Sequence, residues 1–337
     1  MASYRAGENA QIMGLVEALP WPYRWVELSY RSRGALQRLI RGVGLLGIDR
    51  RRSTGFSPPW PDVLVSAGLR NEPVARWVKR ESRGRTRLVF LGRTWAALEH
   101  FDLVITTPQY RLPVRDNVLH NPTTLHRVTP SRLAEEGAAW RADLGALPQP
   151  RIGVLLGGDS GPHPFRARAA ALLGRLVNAR AQSMAGSVLV TTSARTHPDA
   201  VRAFEEALGV PAYVYRWRPD AGGNPYFALL ALADELVVTG DSIAMLSEAM
   251  ASGKPVYIFD LDLRRYGASL ESTLKSRLYR GLMRVGPRRL SRDISIVHER
   301  LVREGRAAWL GDAWVGADAP RDEAIVKAVE RVRRLVA

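Results

Sequence analysis

Four short polar stretches in the second half of this 337-residue chain each follow an apolar run. They are Gly157-Gly158-Asp159-Ser160-Gly161, Thr192-Ser193-Ala194-Arg195-Thr196, Asn224-Pro225-Tyr226 and Gly240-Asp241-Ser242. Paired glycines let backbone N–H groups approach an anion, and a hydroxyl such as that of Ser160 adds a donor at a helix start. Arg195 would neutralise a phosphate with paired N–H groups that lysine lacks. Glu248 follows Asp241 by about two helical turns, where a carboxylate can accept ribose hydroxyls. Met245 lies on the same helix, between them. If the loops converge, the chemistry they suit is the binding of a nucleotide diphosphate. GGDSG is not GxGxxG, and no acidic residue follows a strand at the usual spacing, which disfavours a dinucleotide dehydrogenase. No Walker motif occurs, which disfavours an NTPase, and the six histidines show no metal-ligand spacing, so no metal is expected.

The elements that must hold these residues are legible from their punctuation. Leu236–Thr239 is a short apolar run, and Asp241 or Ser242 can cap the helix that follows, because either side chain accepts a free backbone N–H. Ile243, Leu246 and Met250 repeat at helical spacing, Ser252-Gly253-Lys254-Pro255 stops the helix, and Val256–Phe259 is the next strand. An ordinary βαβ unit predicts the same spacing. Further strands are expected at Arg151–Leu156, Ser187–Thr192 and Val210–Tyr215, with helices between them. In open α/β sheets ligands bind outside the carboxyl ends of the strands, where these loops would meet. The first half repeats the alternation. A helix at Gln11–Leu19 precedes strands at Arg24–Leu28, Pro61–Ser66, Thr86–Leu91 and Phe101–Thr106, with a helix at Glu72–Lys79. Leu147-Pro148-Gln149-Pro150 reads as a link. The expected architecture is α/β, with Rossmann-like parallel-sheet domains over 1–148 and 149–320 facing each other across a cleft. A C-terminal helix within 321–337 is expected to pack back on the first domain.

Composition bounds the rest. Hydrophobic residues make up 46% and charged residues 24%, as in soluble globular chains. The absence of cysteine excludes disulfides and thiolate chemistry and fits a reducing compartment, so the expected location is cytoplasmic. The net charge is +16, and much of it sits in two windows. Residues 24–52 carry eight arginines against Glu27 and Asp49, and residues 264–306 carry twelve Arg or Lys against four acids. A GC-rich genome also enriches arginine over lysine. In Arg31–Arg52, Leu36, Leu39, Ile40 and Val43 follow the helical period, with Arg38 and Arg41 between them and Arg50, Arg51 and Arg52 closing the segment. That pattern suits contact with an anionic membrane surface, and an ordinary surface helix shares its period. Few aromatics interleave with the arginines and no nucleic-acid-binding motif appears, so a nucleic-acid partner is disfavoured.

The run Gly240-Asp241-Ser242-Ile243-Ala244-Met245-Leu246-Ser247-Glu248-Ala249, with Gly253-Lys254-Pro255-Val256-Tyr257, resembles the plant mitochondrial-fission "elongated mitochondria" factor family and its bacterial relatives. Gly157–Ser160, Thr191–Arg195, Asn224–Tyr226, Leu91-Gly92-Arg93 and Phe101–Val104 match it as well. The resemblance spans most of residues 1–260. It implies a GT-B-like fold and a glycosyltransferase, moving sugar from a nucleotide-diphosphate sugar to a lipid-linked or membrane-associated acceptor without a separate cofactor. It also implies Glu248 on the donor ribose, and the Arg31–Arg52 segment would give the protein a peripheral place on the inner face of the inner membrane. The donor residues would be Gly157, Gly158, Asp159, Ser160, Thr192, Ser193, Arg195, Asn224, Tyr226, Gly240, Asp241, Ser242, Met245 and Glu248. A Tyr-x-x-x-Lys that would support an epimerase is absent. Relatives often carry histidine where this chain has Glu8, which makes Glu8 the candidate general base. A carboxylate favoured by the helix dipole explains Glu8 equally. The alternative to an enzyme is a non-catalytic scaffold of the same fold in membrane organisation.

Overall fold

The computed structural model describes residues 1–31, 42–159, 164–218, 223–268, 278, 281, 292–316 and 323–336. Ser160, Arg38, Arg41 and most of the basic run between 264 and 292 lie outside them. The chain divides into two compact units, Met1–Arg127 with Arg321–Ala337, and Val128–Pro320. Among the described residues no helix is long and apolar enough to cross a membrane.

The first unit is built on a parallel sheet of β1 (Val63–Ala67), β2 (Arg87–Leu91), β3 (Leu103–Thr106) and β4 (Val118–His120), paired in sequence order. Period-two alternation sends Leu64, Leu88, Phe90 and Val104 to one core cluster and Val65, Val89, Leu91, Leu103 and Ile105 to another. Helix α1 (Ala6–Ala18) fills the second cluster through Ile12 and Leu15, together with the C-terminal helix Ala324–Arg333. Helix α2 (Glu72–Glu81) covers the first through Val74, Ala75 and Val78.

The strand expected at Arg24–Leu28 does not form. Its backbone groups bond elsewhere. Glu27 N–H donates to Thr54 Oγ1 (3.1 Å), Ser29 N–H to Ser53 Oγ (2.9 Å), and Val26 C=O accepts from Ala2 N–H (2.8 Å). Hydroxyl groups replace a neighbouring strand, a local competition that alternation cannot reveal.

The second unit holds α3 (Pro130–Ala139), α4 (Arg141–Leu144) and a six-stranded parallel sheet. The strands are β5 (Arg151–Leu156), β6 (Ser187–Thr192), β7 (Ala212–Tyr215), β8 (Glu235–Thr239), β9 (Val256–Phe259) and β10 (Ala308–Trp309). The division at Arg127 lies upstream of the Pro148–Pro150 link where the sequence puts it. The reason is that α3 packs on the later helix α7 (Tyr226–Leu232) and so stays with this unit. Spatial order is β10-β9-β8-β5-β6-β7, the doubly wound arrangement, which reverses direction between β5 and β8. Helix α5 (Ala167–Ser183) and α6 (Pro198–Glu205) pack over one face. Helix α8 (Ile243–Ala251) and α9 (Ser295–Arg303) pack over the other. With both faces covered, β5, β6 and β8 are buried along their whole length, as their near-continuous apolar runs require.

At the amino edge of this sheet the Lys254 ammonium donates to the carbonyls of Ala231 and Ala233, closing the C-terminal end of α7. Burial pushes Lys254 down from 10.5 to about 8. The folded chain then binds fewer protons than the unfolded chain between those values, so stability rises with pH across that window. Urea denaturation at pH 7.5 and pH 10 is expected to show this rise in the native chain and a flatter response in Lys254→Met.

Candidate functional site

The reversal between β5 and β8 places two glycine-containing loops side by side at the carboxyl edge of the second sheet, Gly157-Gly158 after β5 and Gly240-Asp241-Ser242 after β8. The loop Ser193–Thr196 follows β6, the neighbour of β5 on its other side. Three of the four stretches singled out in the sequence therefore meet at one point.

Asp241 joins them. Its Oδ2 accepts from Gly158 N–H (3.0 Å) and from Arg195 Nη2 (2.9 Å), and its Oδ1 accepts from Thr239 Oγ1 (2.7 Å). Thr239 Oγ1 in turn accepts from Gly157 N–H (2.8 Å). Arg195 also donates through Nη1 to the carbonyl of Asp159 (3.1 Å), and Thr196 Oγ1 donates to the main chain of β5 at Leu156 or Gly157. The sequence reading set Asp241 towards a ligand; here it has 0% exposed surface and its carboxylate is spent on the loops themselves. Such a buried carboxylate is tolerable because each oxygen is hydrogen-bonded and its charge faces a guanidinium.

The same arrangement explains the glycines. A Cβ on Gly157 would lie 2.1 Å from Asp241 Oδ1, and one on Gly158 2.1 Å from the Arg195 carbonyl oxygen. No side chain fits at either position.

Ser242 caps α8 by accepting from Met245 N–H (3.4 Å), which leaves Met245 partly buried in the core beneath. Glu248 is 7% exposed and accepts from Tyr226 Oη (2.5 Å). Burial and the neighbouring carboxylate hold the Tyr226 hydroxyl well above its usual range, so it stays a donor. Thr192 Oγ1 accepts from Trp217 N–H (2.8 Å), tying the ends of β6 and β7. Ser193 N–H donates to Thr196 Oγ1 (2.8 Å) within its own loop. Asp159 is exposed and turns away to accept from Phe165 N–H (3.1 Å) and Arg166 Nη2 (2.5 Å). Asn224 accepts from Tyr226 N–H (3.1 Å), a local turn at the start of α7. Gly240 stands over the buried His298 ring, leaving 3.0 Å between that ring and a Cβ placed on it.

Sequence reasoning missed Thr239 and Arg292, and named Thr196 only as part of its loop. Thr239 had a signal, since it ends β8 directly before Gly240, yet it reads as one more β-branched strand residue. Arg292 had none: it comes from the basic run far along the chain, and its Nη2 donates to the Asp241 carbonyl (3.3 Å).

In the first unit Glu8 lies in the first turn of α1, close against Gly68 at the end of β1. Its carboxylate accepts from Ser3 Oγ and lies 3.5 Å from Arg5 Nη1. Arg50, Arg51 and Arg52 are exposed, and Leu46 nearby is 81% exposed.

Residues 6–308 match the family model described as "Mitochondrial fission ELM1". The chain is 28% identical over 266 residues to the mitochondrial fission protein ELM1 of Arabidopsis thaliana, covering 72% of this chain and 60% of that one. It thus spans less than two thirds of that relative's length. It is 33% identical over 296 residues to the uncharacterised protein RP120 of Rickettsia prowazekii (strain Madrid E), covering 77% and 82%. Among solved structures, the UDP-GlcNAc 2-epimerase from Neisseria meningitidis bound to UDP-GlcNAc aligns with a TM-score of 0.42 and 12% identity, over 81% of this chain and 76% of that one.

Proposed function

This chain belongs to the mitochondrial fission ELM1 family, and from that premise we propose that its second unit holds a nucleotide-diphosphate sugar and that the protein transfers the sugar to a lipid-linked or membrane-associated acceptor. The observation that carries the proposal is the junction of three loops at the switch point of a doubly wound sheet, with glycines where no side chain fits. Backbone N–H groups at the start of α8 and the Arg195 guanidinium would take the charge of the leaving diphosphate as it develops. Arg195 uses two of its five N–H groups on Asp241 and Asp159 and keeps an exposed side chain. Glu248, which accepts from Tyr226, would hold the donor ribose, as the family resemblance implies. Glu8 would take the proton of the acceptor hydroxyl. The exposed Arg50–Arg52, beside the exposed Leu46, would hold the protein to an anionic membrane surface near its acceptor.

A thermal-shift screen with UDP-, GDP-, CMP- and dTDP-sugars is expected to raise the melting temperature with one base, because a ligand that binds only the folded state stabilises it by mass action. Sedimentation with phosphatidylglycerol vesicles is expected to weaken when Arg50, Arg51 and Arg52 are changed to glutamate; equal binding would remove the membrane part of the proposal. The second reading is a non-catalytic scaffold of the same fold. It is favoured by the contacts of the Glu8 carboxylate with Ser3 and Arg5 of its own segment. A flat response to all four donors would select it.

A further inference from the structure

We propose that Arg70 and Arg5 of the first unit form a phosphate-binding site, and that the acceptor is a molecule carrying a phosphate group; the second part rests on the transferase reading above. The loop of residues 68–71 leaves the carboxyl end of β1 and leads into α2. Gly68 turns it with φ at +84°, a conformation that few side chains tolerate. Arg70 is exposed yet held in place by rings. Its guanidinium carbon lies 4.7 Å from the centre of the Tyr4 ring and 5.7 Å from that of Tyr30, two rings set edge to face at 6.0 Å. Arg5 reaches the same Tyr4 ring at 5.2 Å. Contact with ring faces fixes a guanidinium and leaves the N–H groups of its edge for an anion, so less freedom is lost on binding.

Two guanidinium groups thus meet at one tyrosine, although like charges repel. Among the described residues Glu8 is the carboxylate that answers them: it lies 3.5 Å from Arg5 Nη1 and accepts from Ser3 Oγ through its other oxygen. Arg70 itself has no ion pair and donates no hydrogen bond among the described residues. Residues 31–44, which follow Tyr30 in the chain, include no Asp or Glu. Tyr30 Oη is buried and has no hydrogen-bond partner among the described residues. Burial, and then the neighbouring Tyr4, hold that hydroxyl well above the usual tyrosine range, so it stays a donor. A phosphate ester suits these donors better than a carboxylate, because it brings three acceptor oxygens and roughly two negative charges. Glu8 packs against the same loop, where a Cβ on Gly68 would overlap its carboxylate. An acceptor held by its phosphate at Arg70 would therefore lie beside Glu8, the base in the reading above.

The test is calorimetric titration of the full chain, without any donor, with glycerol 3-phosphate, glycerate and glycerol. Sedimentation with phosphatidylcholine vesicles, with and without phosphatidic acid, forms its second arm. The native chain is expected to prefer glycerol 3-phosphate to glycerate, and Arg70→Gln to weaken that binding about tenfold, as loss of a charge-assisted contact requires. Arg70→Lys keeps the charge without the planar fork and should recover only part of the affinity. Tyr4→Ala should weaken binding and Tyr4→Phe restore it, because the ring face holds the guanidinium. Arg83→Gln removes the same charge from an exposed position beyond the other end of α2 and should change neither arm. Loss of glycerol 3-phosphate binding in Arg70→Gln with vesicle binding unchanged identifies a free phosphate ester, and loss in the vesicle arm identifies a lipid-borne one. Native-like binding by Arg70→Gln in both arms overturns the inference, as does equal affinity for glycerate and glycerol 3-phosphate. Failure of the native chain to bind either phosphate overturns it too, while the donor screen decides the transferase reading separately. Phosphate binding beside a flat donor screen keeps the site and removes its assignment to an acceptor.

Discussion

Gly157→Ala is expected to abolish donor binding and to lower the stability of the second unit by about 3 kcal/mol, the upper range for overpacking a filled site. The added methyl would lie 2.1 and 2.3 Å from the two Asp241 carboxylate oxygens. Relief would require moving Asp241, which has no exposed surface and holds bonds to Gly158, Thr239 and Arg195. It could move only by breaking the bonds that join the loops after β5, β6 and β8. Scanning calorimetry should show a melting temperature lower by roughly 6–12 °C for a unit of this size. A decrease below about 2 °C would mean that the loop yields easily, and would remove the glycine argument for a built site.

Asp241 itself should show a graded pair of effects. Asp241→Ala leaves the buried Gly158 N–H without an acceptor and Arg195 without its counter-charge, a loss of about 3 kcal/mol. Asp241→Asn is expected to be milder, about 1–2 kcal/mol, since one amide orientation preserves the bonds from Gly158 and Arg195. In that orientation the Asn NH2 would donate to Thr239 Oγ1, whose proton can turn to the Leu155 carbonyl at 3.4 Å. Urea denaturation checks the order native, Asn, Ala. Equal losses for Asn and Ala would show that the carboxylate charge, rather than its hydrogen-bond geometry, holds the loops.

Much of this was legible beforehand where one physical rule acts alone. Arg151–Leu156, Ser187–Thr192 and Val256–Phe259 are strands with the limits their sequence indicates, because apolar runs closed by glycine or polar residues have few alternatives in a sheet covered on both faces. Ser242 caps α8 for the same local reason. Residues 130–144 carry two helices that the sequence did not announce: α4 is a single turn, and α3 is recognisable chiefly from its packing on α7. Arg24–Leu28 failed as a strand because its groups bond singly to separate partners, Glu27 N–H to the Thr54 hydroxyl and the Val26 carbonyl to Ala2 N–H.

By itself the sequence determined the α/β class, the family and the positions of the polar loops, since periodicity, turn residues and motif spacing are properties of neighbouring residues. What each loop residue does was decided only by tertiary structure. The strand order brings Gly157, Arg195 and Asp241 together from separate parts of the chain, and burial turned Asp241 from an expected ligand contact into the joint between three loops. Arg292 is the clearest case. Its spacing carries no pattern, and only the folded path brings its guanidinium within hydrogen-bond reach of the Asp241 carbonyl.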